Sequence, residues 1–349
     1  MTNTSLSIPL VSLIVPIYNM ARYLPRCIDS ILEQTFTNIQ LILVNDASTD
    51  NSLTICRQYA ERDSRITLIN KPTNEGVDRA RFSGINAAHG RYLFFPDPDD
   101  WLTTPAVLQT MVDKAEQTGA DIVQIQRVKV INNHSFPRRI MPDFSVGLVQ
   151  GDQLKQCWTA LFGDNFLAGG MWAKLYRKEV IDRANLSPSG LLRSQDVVFN
   201  LQLGPHVHSI YFIPQPGYTY RWGYKREQYR AQRLHAAKQK FSLRLRVMAD
   251  QHAYHAWDLP RLALLNNGLR EEINQRIRFH REIPTWLTQE LQDPIWQQAT
   301  DLHSRLSSFA QAVRNRDHHA VHAIVRHDDR SYRIKCRLKA ALYSLLSSI

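Results

Sequence analysis

Cysteine is scarce in this sequence, and the few that occur are scattered. The 349 residues contain four, Cys27, Cys56, Cys157 and Cys336, and no two have the spacing of a metal-binding or redox motif. Also absent is any run of about eighteen apolar residues, so we expect no segment to span a membrane. The N-terminus lacks a basic start followed by a long apolar core, so we expect no signal peptide. These absences together favour a cytoplasmic protein.

Positive charge is abundant and unevenly distributed. The formal net charge is +11, yet residues 1–220 hold 20 Lys and Arg against 20 Asp and Glu. The whole excess lies in residues 221–349, which hold 23 basic and 12 acidic side chains. Apolar residues make up 44% of the chain, which is enough for a sizeable core. We therefore predict a main domain over residues 1–220 and a basic extension over residues 221–349.

The basic extension shows helical apolar spacing, and its final segment is amphipathic. Residues 330–349 combine a basic first half with an apolar stripe formed by Ile334, Leu338, Leu342 and Leu345. This pattern is typical of a helix lying on anionic lipid, and also of a terminal helix packed on its own protein. Clustered basic residues would equally suit nucleic acid, and a solvated helical surface is the plain alternative.

The first seventy residues alternate between apolar runs and helical patterns. Residues 10–19, 39–44 and 65–69 read as strands, and the segments 22–34 and 52–60 between them read as helices. Nearly continuous apolar strands suit a parallel sheet that is buried on both faces. The order β-α-β-α-β therefore predicts an α/β fold with right-handed crossovers and helices on both sides of the sheet.

The densest chemistry in the sequence follows another apolar pair, Phe94 and Phe95. Three carboxylates, Asp97, Asp99 and Asp100, crowd into the next five positions. Negative charges at such short spacing repel one another. A hard divalent cation such as Mg²⁺ or Mn²⁺, which prefers oxygen ligands, would relieve the repulsion. An acidic helix N-terminus is the alternative from these residues alone.

Several short motifs in fixed order resemble the family 2 glycosyltransferases of the GT-A fold. They are Val15-Pro16-Ile17-Tyr18-Asn19, Val44-Asn45-Asp46-Ala47-Ser48-Thr49-Asp50, Asn74-Glu75-Gly76, Asp97-Pro98-Asp99-Asp100, Trp172-Ala173-Lys174-Leu175-Tyr176, Gln195-Asp196 and Tyr218-Thr219-Tyr220-Arg221. The likeness is densest over the first hundred residues. It implies a mostly parallel sheet flanked by helices, with a nucleotide-sugar half at about residues 1–101 and an acceptor half at about 102–220.

The resemblance also implies a donor site in the first half. Pro16 and Tyr18 match positions at the nucleotide-base pocket, where Tyr18 would offer a stacking face. Asp46 matches the aspartate that accepts a hydrogen bond from uracil. Arg81 matches a basic residue near the nucleotide.

A metal and a catalytic base are implied in the same way. Asp97 and Asp99 match the D-x-D element, in which the first carboxylate lies near the ribose and the second reaches Mn²⁺ or Mg²⁺. Asp196 matches the base that deprotonates the acceptor. Gln195 departs from the family, which usually has an acidic residue there, and Trp172 and Gln195 are candidate sugar or acceptor contacts.

The implied activity is inverting transfer from a nucleotide-diphosphate sugar, expected to be a UDP-sugar, to a hydroxyl of a glycan or lipid-linked acceptor. Such enzymes build bacterial surface polysaccharide or lipopolysaccharide at the cytoplasmic face of the inner membrane, so lipid rather than nucleic acid is the expected partner of the basic extension. Gln195 favours one alternative, a degenerate nucleotide-sugar-binding assembly subunit. A sugar nucleotidyltransferase is a weaker alternative, because no glycine-rich basic phosphate loop follows the first strand.

Overall fold

A computed structural model shows the architecture of the main part of the chain. It describes residues 8–131, 134–138, 146–154, 170–190 and 195–221, and the isolated positions 311, 312, 315, 317 and 320. The chain divides into two compact units, residues 1–228 and 229–349. Apart from those isolated positions, the predicted helices of the basic extension, including its amphipathic end, lie outside the described residues. Within the described ranges, no helix has the length and hydropathy that crossing a membrane requires.

The first half of the main unit is a parallel sheet with its connecting helices. In chain order its elements are β1 (Val11–Ile17), α1 (Leu24–Leu32), β2 (Ile39–Asn45), α2 (Ser52–Arg62), β3 (Ile66–Asn70), α3 (Val77–Asn86) and β4 (Tyr92–Phe94). The strands lie in the order β3-β2-β1-β4, and all three pairings are parallel. Every residue of β1 and β2 is buried, which explains their continuous apolar sequence. The predicted β-α-β-α-β order is confirmed.

The second half extends the same sheet. Its elements are β5 (Trp101–Leu102), α4 (Val107–Thr118), β6 (Ile122–Ile131), β7 (His134–Arg138), β8 (Gly147–Gln150), β9 (Lys174–Arg177), α5 (Lys178–Ala184), α6 (Gln195–Leu203) and β10 (Ser209–Arg221). The full strand order is β3-β2-β1-β4-β9-β6-β10-β5, with β7 beside β6 and β8 beside β10.

The strand directions make the sheet mixed. β6 and β10 are parallel, while β9 runs antiparallel to both β4 and β6. β5 and β8 are antiparallel to β10, and β7 is antiparallel to β6. The α/β class is therefore as predicted, while the mostly parallel character belongs to the first half and to the β6–β10 pair.

Helix α3 packs unusually close to the sheet. A Cβ atom added to Gly84 would lie 2.3 Å from Cγ2 of Ile14, which is far inside a normal contact distance. The helix backbone therefore rests directly on β1, where any larger side chain would push it away. α3 has little room to move relative to the strand that ends at the site.

Candidate functional site

Three carboxylates lie at the carboxyl end of β4, where the sequence predicts a metal site. One oxygen from each of Asp97, Asp99 and Asp100 lies within 4.8 Å of the others. Asp100 is only 1% exposed, and burial together with the charges of Asp99 and Asp97 raises the pKa of its carboxyl well above the usual range. Hard oxygen donors that repel one another when ionised fit a divalent cation such as Mg²⁺ or Mn²⁺.

The neighbours of the carboxylate cluster fix its members in place. The hydroxyl of Tyr218 donates to Oδ2 of Asp100 at 2.8 Å and accepts from the amide of Asp97 at 3.0 Å. The amide of Arg221 donates to Oδ1 of Asp100 at 2.8 Å. β10 therefore holds both ends of the acidic loop. The sequence shows Tyr218 as part of a motif but gives no sign of this role, because its partners Asp97 and Asp100 are more than a hundred residues away in the chain.

Arg81 of α3 forms an ion pair with Asp97, one of the three clustered carboxylates. Its Nη2 lies 2.8 Å from Oδ1 of Asp97, and the guanidinium side chain is buried. The contact places Arg81 beside the D-x-D element, where the resemblance expects a basic residue near the nucleotide. Arg81 thus pairs with the first of the three carboxylates of this cluster.

Asp46 lies in a second polar pocket at the end of β2. It is 2% exposed and accepts hydrogen bonds from the amides of Glu75 at 3.0 Å and Gly76 at 2.8 Å. Gly76 has a φ of +91°, a conformation that favours glycine. The buried Nζ of Lys71 lies 3.3 Å from Oδ1 of Asp46 and also pairs with Glu75. Lys71 had no motif to identify it; its position just after β3 is the only sequence signal.

The loop after β1 is joined to the loop after β2 by hydrogen bonds. The amide of Thr49 donates to Oδ1 of Asn19 at 2.8 Å, and the amide of Ala21 donates to Oδ2 of Asp50 at 3.0 Å. Just before these anchors Tyr18 is 45% exposed, whereas Pro16 is buried within β1. The carbonyl of Ile17, which precedes Tyr18, accepts from the amide of Asp46 at 2.8 Å, so the open Tyr18 ring follows a direct link between β1 and Asp46.

Backbone strain marks both halves of the site. Ala47 has a φ of +56° and Ala173 a φ of +57°, in the left-handed region that residues other than glycine rarely adopt. Ala47 follows Asp46, and Ala173 lies between Trp172 and Lys174. Such conformations cost about 1 to 3 kcal/mol each and concentrate at functional positions.

The predicted base lies at the start of α6. The helix begins at Gln195, so Asp196 is in its first turn, where the helix dipole favours a negative charge. Gln195 is buried and Asp196 is partly exposed. Asn200 donates to the backbone carbonyl of Asp196 at 2.9 Å and accepts from the hydroxyl of Tyr176 at 2.7 Å. α6 is thus fastened to β9.

Trp172 is buried and joins the two halves of the site. Its ring stacks on Tyr218 at a centroid distance of 5.7 Å and an angle of 16°. The guanidinium of Arg127 lies 5.2 Å from the same ring. Trp172 thus packs on the tyrosine that is hydrogen-bonded to Asp100, and a direct sugar contact by Trp172 stays a prediction.

Lys174 is a further buried basic residue, and its motif in the sequence indicates no role for it. Its Nζ donates to the carbonyl of Gly170. Burial lowers its pKa to about 7, and the charge of Arg127 acts in the same direction while that of Asp196 opposes it. Two buried basic side chains, Arg127 and Lys174, therefore lie on the neighbouring strands β6 and β9.

Comparisons with known proteins agree with this architecture. Residues 12–175 match the family model described as "Glycosyl transferase family 2". The uncharacterized glycosyltransferase EpsJ of Bacillus subtilis is 37% identical over 222 residues, which cover 61% of this chain and 61% of EpsJ.

Solved structures show the same fold at low sequence identity. S. aureus TarS 1-349 in complex with UDP has a TM-score of 0.62 at 18% identity, with 93% of this chain and 91% of that one covered. The mannosyltransferase PcManGT from Pyrobaculum calidifontis, in complex with GDP-Man and Mn²⁺, has a TM-score of 0.52 at 18% identity, with 88% and 87% covered.

Proposed function

Through residues 12–175 the chain belongs to glycosyl transferase family 2, and on that premise we propose that it transfers a sugar from a nucleotide-diphosphate donor to an acceptor hydroxyl. The observation that carries the proposal is one edge of the sheet bearing both a buried carboxylate pocket and the acidic loop. The pocket is Asp46 beside the open ring of Tyr18, and the loop is Asp97, Asp99 and Asp100. TarS and PcManGT, which share the fold, bind UDP and GDP-Man with Mn²⁺ respectively.

Donor recognition would begin at Asp46. The two amides of Glu75 and Gly76 and the ammonium of Lys71 hold its carboxylate in one orientation. A carboxylate oxygen can accept from an N–H such as the one on uracil, while Tyr18 can stack on the base. We therefore propose UDP as the nucleotide, with Pro16 shaping the pocket floor.

The donor diphosphate would lie at the acidic loop. Asp97 and Asp99 would hold Mn²⁺ or Mg²⁺, which when bound supplies Lewis-acid neutralisation of the charge that develops on the leaving diphosphate. Arg81 keeps Asp97 in one orientation through its ion pair. Tyr218 holds Asp100 behind the other two carboxylates.

The acceptor would be deprotonated by Asp196. A carboxylate in the first turn of α6 can take the proton that the attacking hydroxyl loses, and a single displacement inverts the anomeric carbon. Gln195, Trp172 and the cations behind them would border the acceptor. We infer a glycan or lipid-linked acceptor of a bacterial surface polysaccharide, with the basic end of the chain, residues 330–349, as the proposed membrane contact.

The test is nucleotide release from a panel of nucleotide sugars in the presence of Mn²⁺ and a mixture of glycan acceptors. Wild-type protein should release one nucleotide in an acceptor-dependent manner, and Asp196→Asn should lower the rate by about 10²- to 10⁴-fold while donor binding persists. Asp113→Asn, on the exposed face of α4, is the matched control. An Asp196→Asn protein with the wild-type rate would refute this base.

Gln195 supports a second candidate, a binding subunit without catalysis. A neutral residue stands where the resemblance implies an acid beside the base, so the chain could retain the donor pocket alone. Donor binding without nucleotide release for any acceptor in the panel would favour this candidate.

A further inference from the structure

Helix α3 touches both parts of the proposed donor site. At its start the amide of Gly76 donates to Asp46, and one turn into the helix Arg81 pairs with Asp97. The close approach of Gly84 to Ile14 fixes the helix on β1. A ligand that contacts Asp46 and Asp97 therefore bears on α3 at two points.

The same helix also holds the segment that leads into α6. Oδ2 of Asp78 accepts three hydrogen bonds, from the amide of Ser189 at 2.5 Å, the hydroxyl of Ser189 at 2.7 Å and the amide of Gly190 at 3.2 Å. Asp78 is only 7% exposed, so these bonds are shielded from water. Gly190 has a φ of +69°, a backbone conformation that suits this turn.

A second contact links α3 to α6 itself. The ring of Phe82 meets the ring of Phe199 edge to face, with centroids 6.3 Å apart and an angle of 67°. Phe199 lies one turn of α6 after Asp196. α3 therefore contacts α6 itself through Phe82, and through Asp78 it holds the segment that precedes α6.

We propose that Asp78 is a positioning residue that couples the donor pocket to Asp196 through α3. The inference rests on the proposed function and adds to it a route by which donor binding prepares the base. A carboxylate that accepts three hydrogen bonds fixes residues 189 and 190 more tightly than any neutral side chain at that position. Loss of that clamp displaces α6, and a displacement of about 1 Å in a reacting group can cost about 10²-fold in rate.

Two substitutions and a matched control test this role in steady-state kinetics. Asp78→Ala should lower kcat by about 10- to 100-fold with less than about a 3-fold change in UDP affinity, because the Asp46 pocket remains intact. Asp78→Asn retains an acceptor oxygen and should restore part of the rate. Asp121→Ala removes a carboxylate that likewise accepts two amides, those of His208 and Ser209, at the far end of β6. It should leave kcat near wild type.

Hydrogen exchange tests the coupling without requiring turnover. UDP with Mn²⁺ should slow amide exchange in residues 75–82 and also in 195–203 of the wild-type protein. In Asp78→Ala the first region should still be protected and the second should lose its protection. Equal protection of both regions in Asp78→Ala, or an unchanged kcat, would overturn the proposal.

This experiment distinguishes a wrong donor site from a wrong role for Asp78. If UDP with Mn²⁺ neither binds nor protects residues 75–82 in wild-type protein, the proposed donor site is wrong. If it binds and protects 75–82 while 195–203 never responds, the donor site stands and the role of Asp78 is wrong. A cooperative thermal melt of Asp78→Ala comparable to that of Asp121→Ala shows that the variant is folded.

Discussion

The ion pair between Arg81 and Asp97 provides the sharpest test of the electrostatics at the acidic loop. Arg81→Met keeps the length and apolar stem of the side chain and removes its charge. It removes the guanidinium that pairs with Asp97 in a cluster of three carboxylates, where the wild-type pair joins Nη2 and Oδ1 at 2.8 Å. Removing one partner of a buried pair costs about 3 to 5 kcal/mol, and because the Asp97 side chain is 24% exposed we expect the lower end.

The expected loss can be measured as a melting temperature. For a unit of roughly 150–250 residues, about 1 kcal/mol shifts the midpoint by roughly 2–4 °C, so Arg81→Met should melt about 6–12 °C lower in EDTA. Mn²⁺ should raise the midpoint of Arg81→Met more than that of wild type, because the cation offsets the charge that the substitution exposes. The melt is followed by circular dichroism at constant ionic strength.

Two controls identify the charge as the cause. Asp97→Asn added to Arg81→Met should recover part of the lost stability, because the repulsion falls with the charge. Arg65→Met breaks a more exposed pair with Asp63 at 2.7 Å and should cost at most about 1 kcal/mol. An Arg81→Met midpoint within about 2 °C of wild type would refute the reasoning.

Three further perturbations concern other buried or basic groups. The pKa of Lys174 is lowered to about 7 in the folded protein, so between about pH 7 and 10.5 the unfolded chain binds more protons than the folded one. The free energy of unfolding should therefore rise with pH in that range, by up to about 1.4 kcal/mol per pH unit from this group. Lys174→Met should lose that part of the slope in denaturant titrations. Lys71→Met removes the cation that contacts Asp46 and should weaken UDP binding several-fold in calorimetry; unchanged affinity would contradict our account of the pocket. Removal of residues 330–349 should reduce sedimentation with anionic vesicles while transfer to a soluble acceptor persists, whereas loss of the cooperative melt would show that the segment packs on the protein.

The first half of the fold was predictable because its signals are local. Nearly continuous apolar runs at β1 and β2 encode strands that are buried on both faces. The helix between them, α1, buries an apolar stripe made of Leu24, Cys27, Ile28 and Ile31. The second half was less readable. β9 is inserted between β4 and β6 and reverses the strand direction, and nothing in its four residues encodes which neighbours it will have.

The site residues likewise differ in whether their signals are local in the sequence. Asp97, Asp99 and Asp46 stand in dense motifs at strand ends, where sequence position alone indicates a shared edge. Asp78 and Tyr218 act through partners more than a hundred residues away in the chain, so only the folded structure shows what they hold. A long-range hydrogen bond leaves no periodic trace in the sequence.

The central claim is that the acidic loop binds nucleotide through a divalent cation, and titration calorimetry of UDP with and without Mn²⁺ tests it most directly. Wild-type protein should bind UDP at least about tenfold more tightly with Mn²⁺ than in EDTA, a difference of about 1.4 kcal/mol. Asp99→Asn should lose that difference, and Asp113→Asn should keep it. Equal UDP affinity in Mn²⁺ and EDTA, or an Asp99→Asn protein with the wild-type dependence on Mn²⁺, would contradict the account.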